Sequence, residues 1–198
     1  MNYLAHAYLS FDKPDILRGN LMSDFVKGRL KYDYEKNIQN GITLHRAIDG
    51  FTDIHPATSD AKSFFRPAYR LYSGAFVDVV YDHFLACDHQ QFLKYGGLNY
   101  YSQKVYVTIE EKLEQMPLGF QKIFPHMKLH NWLLNYGQIE GIRQSFRGLA
   151  FRAAYLNESE TAFELFLENY DALKKCYIAF FPTVTKFAGE FLSNLIAD

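Results

Sequence analysis

The stretch Gly41–His55, read GITLHRAIDGFTDIH, spaces His45, Asp49 and Asp53 four residues apart. On an α-helix, residues four apart share a face, roughly 5–6 Å apart at Cβ. One imidazole and two carboxylates along a stripe supply donors for a metal ion or an acid–base pair for hydrolysis. Ile42, Leu44, Ile48 and Phe51 leave little of this helix as a solvated face. The competing reading is structural, with Arg46 pairing with Asp49 or Asp53. A second segment, AFVDVVYDHFLA, places Asp78, Asp82 and His83 in a run so apolar that its helix must be mostly buried. Buried carboxylates are costly unless cations or a metal compensate them. Two helices with inward acids and a histidine are a way to build a metal site.

Cys87 and Cys176 stand far apart and outside any CxxC spacing, so neither a thiolate cage nor a disulfide framework is indicated. Without thiolates, a donor set rich in Asp favours a hard ion, Mn²⁺ or Mg²⁺, with Fe and Zn²⁺ also compatible with imidazole. Such an ion lowers the pKa of a bound water and polarises a phosphoryl oxygen. Asp24, in GNLMSDFVKG, reads either as a helix-end carboxylate tied to backbone or Lys27, or as part of the same site. Arg18, Lys27, Arg29 and Lys31 flank it, and Arg46 adjoins His45. These cations suit phosphate oxygens, or else form a solvated basic face. His6, in the apolar and aromatic NYLAHAYLS, reads as a satisfied core histidine. Around Asn131–Arg152 the chain collects Trp132, Tyr136, Arg143, Arg147 and Arg152, with Arg143 and Arg147 on one face to meet an acidic partner or Glu140.

The elements that must hold these groups read as helices throughout. Asp12 is an expected N-cap and Pro14 an expected first-turn residue for Lys13–Val26, which Gly28 ends. The next helix, Tyr34–Ile54, stops at His55-Pro56. Ser59–Leu71 follows, then Gly74 as punctuation, Ala75–Cys87, a short Phe92–Tyr95 and a Gly96-Gly97 loop. Tyr101–Gln115, Phe120–Met127 interrupted by Pro125, His130–Tyr136 and Ile139–Ala154 come next. Asn157 is the expected cap of Glu158–Phe180, and Pro182 is expected near the start of a last helix to about Ile196. No alternating strand pattern or internal repeat occurs, so the expectation is one all-α domain over 1–198.

The 198 residues are 48% hydrophobic and 17% aromatic, which argues against disorder. A net charge of −1 excludes a polycation that binds nucleic acid or a membrane surface by bulk charge. There is no apolar run of the roughly 18 residues a membrane span needs, and the first residues lack a signal-peptide pattern. A cytoplasmic protein is expected. P-loop, GxGxxG, GxSxG and HExxH patterns are absent. No feature of the sequence specifies an oligomeric state.

The blocks MNYLAHAYLS, GNLMSDFVKG, GITLHRAIDGFTD, DVVYDHFLA and NWLLNYGQIEGIRQSFRGLAFR, in this order over residues 1 to about 155, resemble the acyl carrier protein phosphodiesterase family. The resemblance implies a helical bundle related, in distorted form, to the HD-type metal-dependent phosphohydrolases. Asp82-His83 stands in the reverse of the usual His-Asp order. It also implies hydrolysis of the phosphodiester between a serine of acyl carrier protein and its 4′-phosphopantetheine arm, with Mn²⁺ as cofactor and Mg²⁺ or Fe as alternatives. On that reading His45, Asp49, Asp78 and Asp82 hold the metal. Asp24 or Asp53 orients the attacking water or takes its proton. His83 is a further ligand or the acid for the leaving serine oxygen, and Arg18, Lys27 and Arg46 meet phosphate. The alternatives are a metal phosphohydrolase of a small phosphoester or nucleotide, a di-iron helical protein, and an interaction module whose polar stripe is a buried ion-pair network.

Overall fold

Two glycines decide how the first long helices meet. The computed structural model describes residues 1–153, 156 and 158–197. In chain order the α-helices are α1 (Tyr3–Tyr8), α2 (Pro14–Met22), α3 (Lys36–Ile54), α4 (Pro56–Tyr69), α5 (Ser73–Cys87) and α6 (His89–Phe92). They continue with α7 (Leu98–Glu110), α8 (Leu118–Leu129), α9 (Trp132–Asn135), α10 (Ile139–Arg152), α11 (Glu160–Glu168) and α12 (Tyr170–Ala197). Short 3₁₀ turns link several of them, and no strand occurs among the described residues. The all-α expectation holds. No described helix is long and apolar enough to cross a membrane.

Helices α2 and α3 cross with their backbones in contact at Gly19 and Gly41. A Cβ on either would lie 3.0 Å from the other's Cα. It would also overlap the carbonyl of Ile38 or of Ile16, respectively. Helix axes usually stay 8–10 Å apart because side chains intervene; here none can. Helix α5 runs through the core, with Phe76, Val77, Val79, Val80 and Tyr81 fully buried, so its apolar sequence becomes packing on nearly every side.

Several boundaries differ from those the sequence predicts. Asp12 does not cap α2, because its φ of 58° is left-handed and its carboxylate instead accepts from Tyr95, Lys94 and Lys104. Gly74 lies inside α5 rather than before it. Pro125 and Pro182 sit within α8 and α12. Each removes one backbone donor, but each is exposed. The carbonyl left over at Ile178 therefore reaches water, and the buried Phe180, Phe181 and Val184 hold α12 together around Pro182. Asn157 and the end of the expected Ile139–Ala154 helix lie outside the described residues.

Gly41→Ala should lower unfolding free energy by about 3 kcal/mol, the upper end of overpacking costs, since backbone on both sides must move. Gly50→Ala, on the exposed face of α3 with open space at its Cβ position, should raise it by roughly 0.5–1 kcal/mol. Urea unfolding of the two variants tests the crossing; equal effects would contradict it.

Candidate active site

The α2–α3 contact sets the first ligand-type residue in place. The His45 Nδ1–H donates to the Asn20 carbonyl at 2.8 Å, a carbonyl of α2 next to Gly19. With a proton on Nδ1, Nε2 turns outward to hold either a second proton or a cation. Two carboxylates converge on it: Asp49 Oδ2 at 3.0 Å, one helical turn on, and Asp24 Oδ1 at 3.2 Å.

His6 completes the group from α1. Its ring stacks on that of His45 at 3.9 Å with 14° between the planes. His6 Nε2 lies 3.2 Å from Asp49 Oδ1, yet off the hydrogen-bonding direction, so both of its buried ring nitrogens lack a hydrogen bond. His6 is thus buried as expected but not satisfied. The side-chain oxygen of the fully buried Asn20 is orphaned as well, while its amide nitrogen donates to the His6 carbonyl at 2.9 Å. His6, His45 and Asp49 each present a ligand atom within 4.8 Å of the others. Two imidazoles, flanking carboxylates and orphaned buried atoms fit a divalent cation with nitrogen and oxygen ligands.

A cavity of about 350 Å³ opens over this cluster, lined among others by His6, Asn20, Asp24, His45 and Asp78. Asp78 meets the Met1 ammonium at 3.0 Å, and the same ammonium lies 3.4 Å from Asp49. The other expected site residues are placed elsewhere. Asp82 is fully buried and accepts from the backbone N–H groups of Leu4 and Ala5 at 2.7 and 3.2 Å, capping α1. Asp53 is exposed and paired with Lys62 at 2.8 Å. His83 has both ring nitrogens engaged, with the Tyr136 carbonyl at 2.7 Å and the Tyr170 hydroxyl at 2.9 Å. Arg18 is buried among Asp15, Glu111 and the Thr108 carbonyl. Arg46 reaches back to the Val26 carbonyl at 2.8 Å, and Lys27 is exposed beside Asp24 in sequence.

The arginine that does line the cavity is Arg152, together with Tyr3 and Trp132. Among the described residues its guanidinium has no carboxylate or hydrogen-bond partner. The Tyr3 phenol is pushed up to about 12 by burial and by Asp24, against the pull of Arg152, so it stays a proton donor at neutral pH. The sequence singles out Trp132 and Arg152 but not Tyr3, and no spacing joins α1, α9 and α10.

Charge in the cluster divides between the imidazoles. Burial opposes protonation of His45, but Asp24 and Asp49 outweigh it and raise the pKa to about 9. Burial and the neighbouring His45 lower that of His6 to about 4. Asp49 is held well below the usual carboxylate range because His45 and His6 outweigh its burial. A folded pKa above the unfolded 6.5 means that His45 stabilisation is complete below pH 6.5 and lost as pH rises through about 9. His6 acts on the other side, and stability falls as pH drops from 6.5 toward about 4. The contributions of the two imidazoles to metal-free protein therefore meet in a maximum near pH 6.5, while Asp82, whose carboxyl burial pushes up to about 7, opposes the His6 limb and leaves the alkaline limb as the test. His45→Gln should flatten the alkaline limb by about 1–3 kcal/mol once solvent screening of the carboxylates is allowed for. Urea titrations at pH 5, 6.5 and 8.5 measure this, and an alkaline limb unchanged in His45→Gln would refute the assignment.

The sequence profile described as acyl carrier protein phosphodiesterase matches residues 1–184, running past residue 155 into α12. A Yersinia pestis protein named acyl carrier protein phosphodiesterase is 31% identical over 186 residues, 94% of this chain and 96% of the relative. Proteins of the same name from Photorhabdus laumondii and Serratia proteamaculans are 30% and 31% identical, over 92% and 96% of this chain and 92% and 98% of their own lengths. No solved structure gives a significant match. With the profile spanning nearly all of its helices, the chain belongs to the acyl carrier protein phosphodiesterase family.

Proposed function

We propose that this protein hydrolyses the phosphodiester that joins a serine of acyl carrier protein to its 4′-phosphopantetheine arm. The observation that carries the reading is the His6, His45, Asp49 and Asp24 cluster on one side of a cavity whose lining also holds Arg152, without an ion-pair partner among the described residues. On this reading the cluster holds Mn²⁺, with Mg²⁺ or Fe as alternatives. When bound, such an ion lowers the pKa of a water and offsets charge on a phosphoryl oxygen. Paired His and Asp donors on helices also support a distant, distorted relation to the HD-type hydrolases.

The chain's own residues supply the remaining parts. Asn20 fixes the tautomer and direction of His45 through its carbonyl. Asp49 spans the two imidazoles with its separate oxygens. Asp24 is the most exposed acid of the cluster, and on this reading it takes a proton from the attacking water. Arg152 and the protonated Tyr3 offer donors to the non-bridging oxygens, where charge grows in the transition state. Asp82 contributes indirectly, by capping the helix that carries His6.

Near the acidic end of the cavity, the 3₁₀ segment Gly28–Asp33 and its flanks expose Lys27 and Arg29, with Leu30 and Tyr32 beside them. Lys27, Arg29 and Lys31 have no ion-pair partner among the described residues. An acidic carrier protein would be steered there, so kcat/KM should fall with rising salt. Replacing Lys27 and Arg29 with Ala should remove most of that salt slope. A slope that survives the double substitution would move the docking surface elsewhere.

The direct test is incubation of holo-acyl carrier protein with enzyme and Mn²⁺, read by mass spectrometry. Loss of the phosphopantetheine mass is expected. Asp49→Ala and His6→Ala should each reduce kcat/KM by about 10²-fold or more, the scale for removing a charge-stabilising group at a reaction centre, and should lower bound Mn²⁺. An unchanged mass with folded, Mn²⁺-loaded enzyme would overturn the reaction.

A further inference from the structure

A second cavity, of about 290 Å³, adjoins the first and shares four lining residues with it: Asn2, Tyr3, Trp132 and Arg152. Its chemistry differs from that of its neighbour. The first holds the acids Asp24 and Asp78 and the two cluster histidines. The second has no carboxylate in its lining and is built from polar and aromatic groups, His130 among them, with Arg152 at the junction. One wall is a single face of α10. Gly141, Gln144, Ser145, Gly148 and Arg152 fall at the helical offsets that stack side chains on one face.

The two glycines on that face are there for different reasons. A Cβ on Gly141 would overlap the Asn135 carbonyl, so close packing requires glycine. At Gly148 nothing does. The nearest atom to an added Cβ is the flexible Arg152 Nη1 at 3.7 Å, and the residue lies inside a helix, where glycine is less favourable than alanine. Packing gives no reason for glycine there, but the open trough between Arg152 and Gln144 does. The Gln144 side chain makes no hydrogen bond among the described residues, and the Trp132 indole N–H and Tyr3 hydroxyl likewise have no partner there. Asn135 uses its amide nitrogen on the His130 carbonyl and keeps its oxygen. Unspent amide donors and acceptors along an aromatic-sided trough match a neutral chain that carries amide groups.

We propose that the two cavities form one groove, in which the trough along α10 receives the amide-bearing pantetheine arm while Arg152 at the junction holds its phosphate beside the His6–His45 cluster. The inference rests on the reaction proposed above and adds a direction to it: the arm extends toward α9 and α10, and the carrier protein lies on the side of Asp24 and the basic Gly28–Asp33 segment. Gly148 and Gln144 then set specificity for the arm. Each volume alone is near the lower limit of small-molecule sites, about 300 Å³, so an arm with its phosphate would need both.

Calorimetric titration of the full, Mn²⁺-loaded chain separates the possibilities, with inorganic phosphate, 4′-phosphopantetheine and adenosine monophosphate as probes. Phosphopantetheine should bind at least about 10-fold more tightly than phosphate. Gly148→Phe, which fills the trough, should abolish that advantage. Gln144→Ala, at an exposed position that folding does not depend on, should reduce it by about 3–10-fold, the worth of one hydrogen bond. Circular dichroism reports whether Gly148→Phe is folded; if it is not, Gln144→Ala and the wild-type ratio decide. No advantage over phosphate, an advantage that survives both substitutions, or tighter binding of adenosine monophosphate lost in either variant would overturn the assignment. Arm binding lost in these variants, combined with intact holo-acyl carrier protein after incubation, would support the groove and refute the reaction.

Discussion

The contact of α2 with α3 at Gly19 and Gly41 is the constraint on which the site depends. Because no side chain separates the two backbones, the carbonyl of Asn20 comes within 2.8 Å of His45 Nδ1. That single bond determines which ring nitrogen faces the cavity. It also draws the end of α2 close enough for Asp24 to reach the same nitrogen. A wider crossing of 8–10 Å, usual for helices with side chains between them, would leave the imidazole without its backbone acceptor and the two carboxylates apart.

A second device brings α1 to this crossing. Asp82, buried in α5, caps α1 through Leu4 and Ala5. Burial raises its carboxyl to about 7, against those two backbone donors. The cap fixes a six-residue helix too short to be stable alone, and that helix carries His6 onto the face of His45. The two imidazoles then cannot both be charged, and Asp49 lies against both. Without a cation, one proton on His45 and the Met1 ammonium balance part of the acid charge. On the reading proposed above, a divalent ion at the cluster would take over that role.

Charge changes sign along the groove. Acids and histidines occupy one end, Arg152 the middle, and uncharged polar groups the far end. A phosphodiester with a neutral arm has the complementary order. Arg152 would carry less weight if a carboxylate neutralised it; Arg143 and Arg147 on the same helix are both paired with Glu160, and this separates the surface cations of α10 from the one in the cavity.

The all-helical architecture and the His45–Asp49 pair were legible in the sequence, because helical periodicity and four-residue spacing are local properties of one backbone geometry. Asp24 was legible as a candidate from the family resemblance and from the cations that flank it. The same local geometry explains where the reading stopped. Each step of four residues advances about 40° beyond a full turn, so Asp53 has turned away from His45 and meets Lys62 at the surface. Asp82 and His83 are neighbours and point about 100° apart, one toward α1 and the other toward Tyr136 and Tyr170. Whether His6 is a satisfied core residue or a free donor, and whether Arg152 or Arg18 faces the cavity, depends on groups far apart along the chain. Burial and hydrogen-bond satisfaction are set by which helices pack together, and only the tertiary structure decides that.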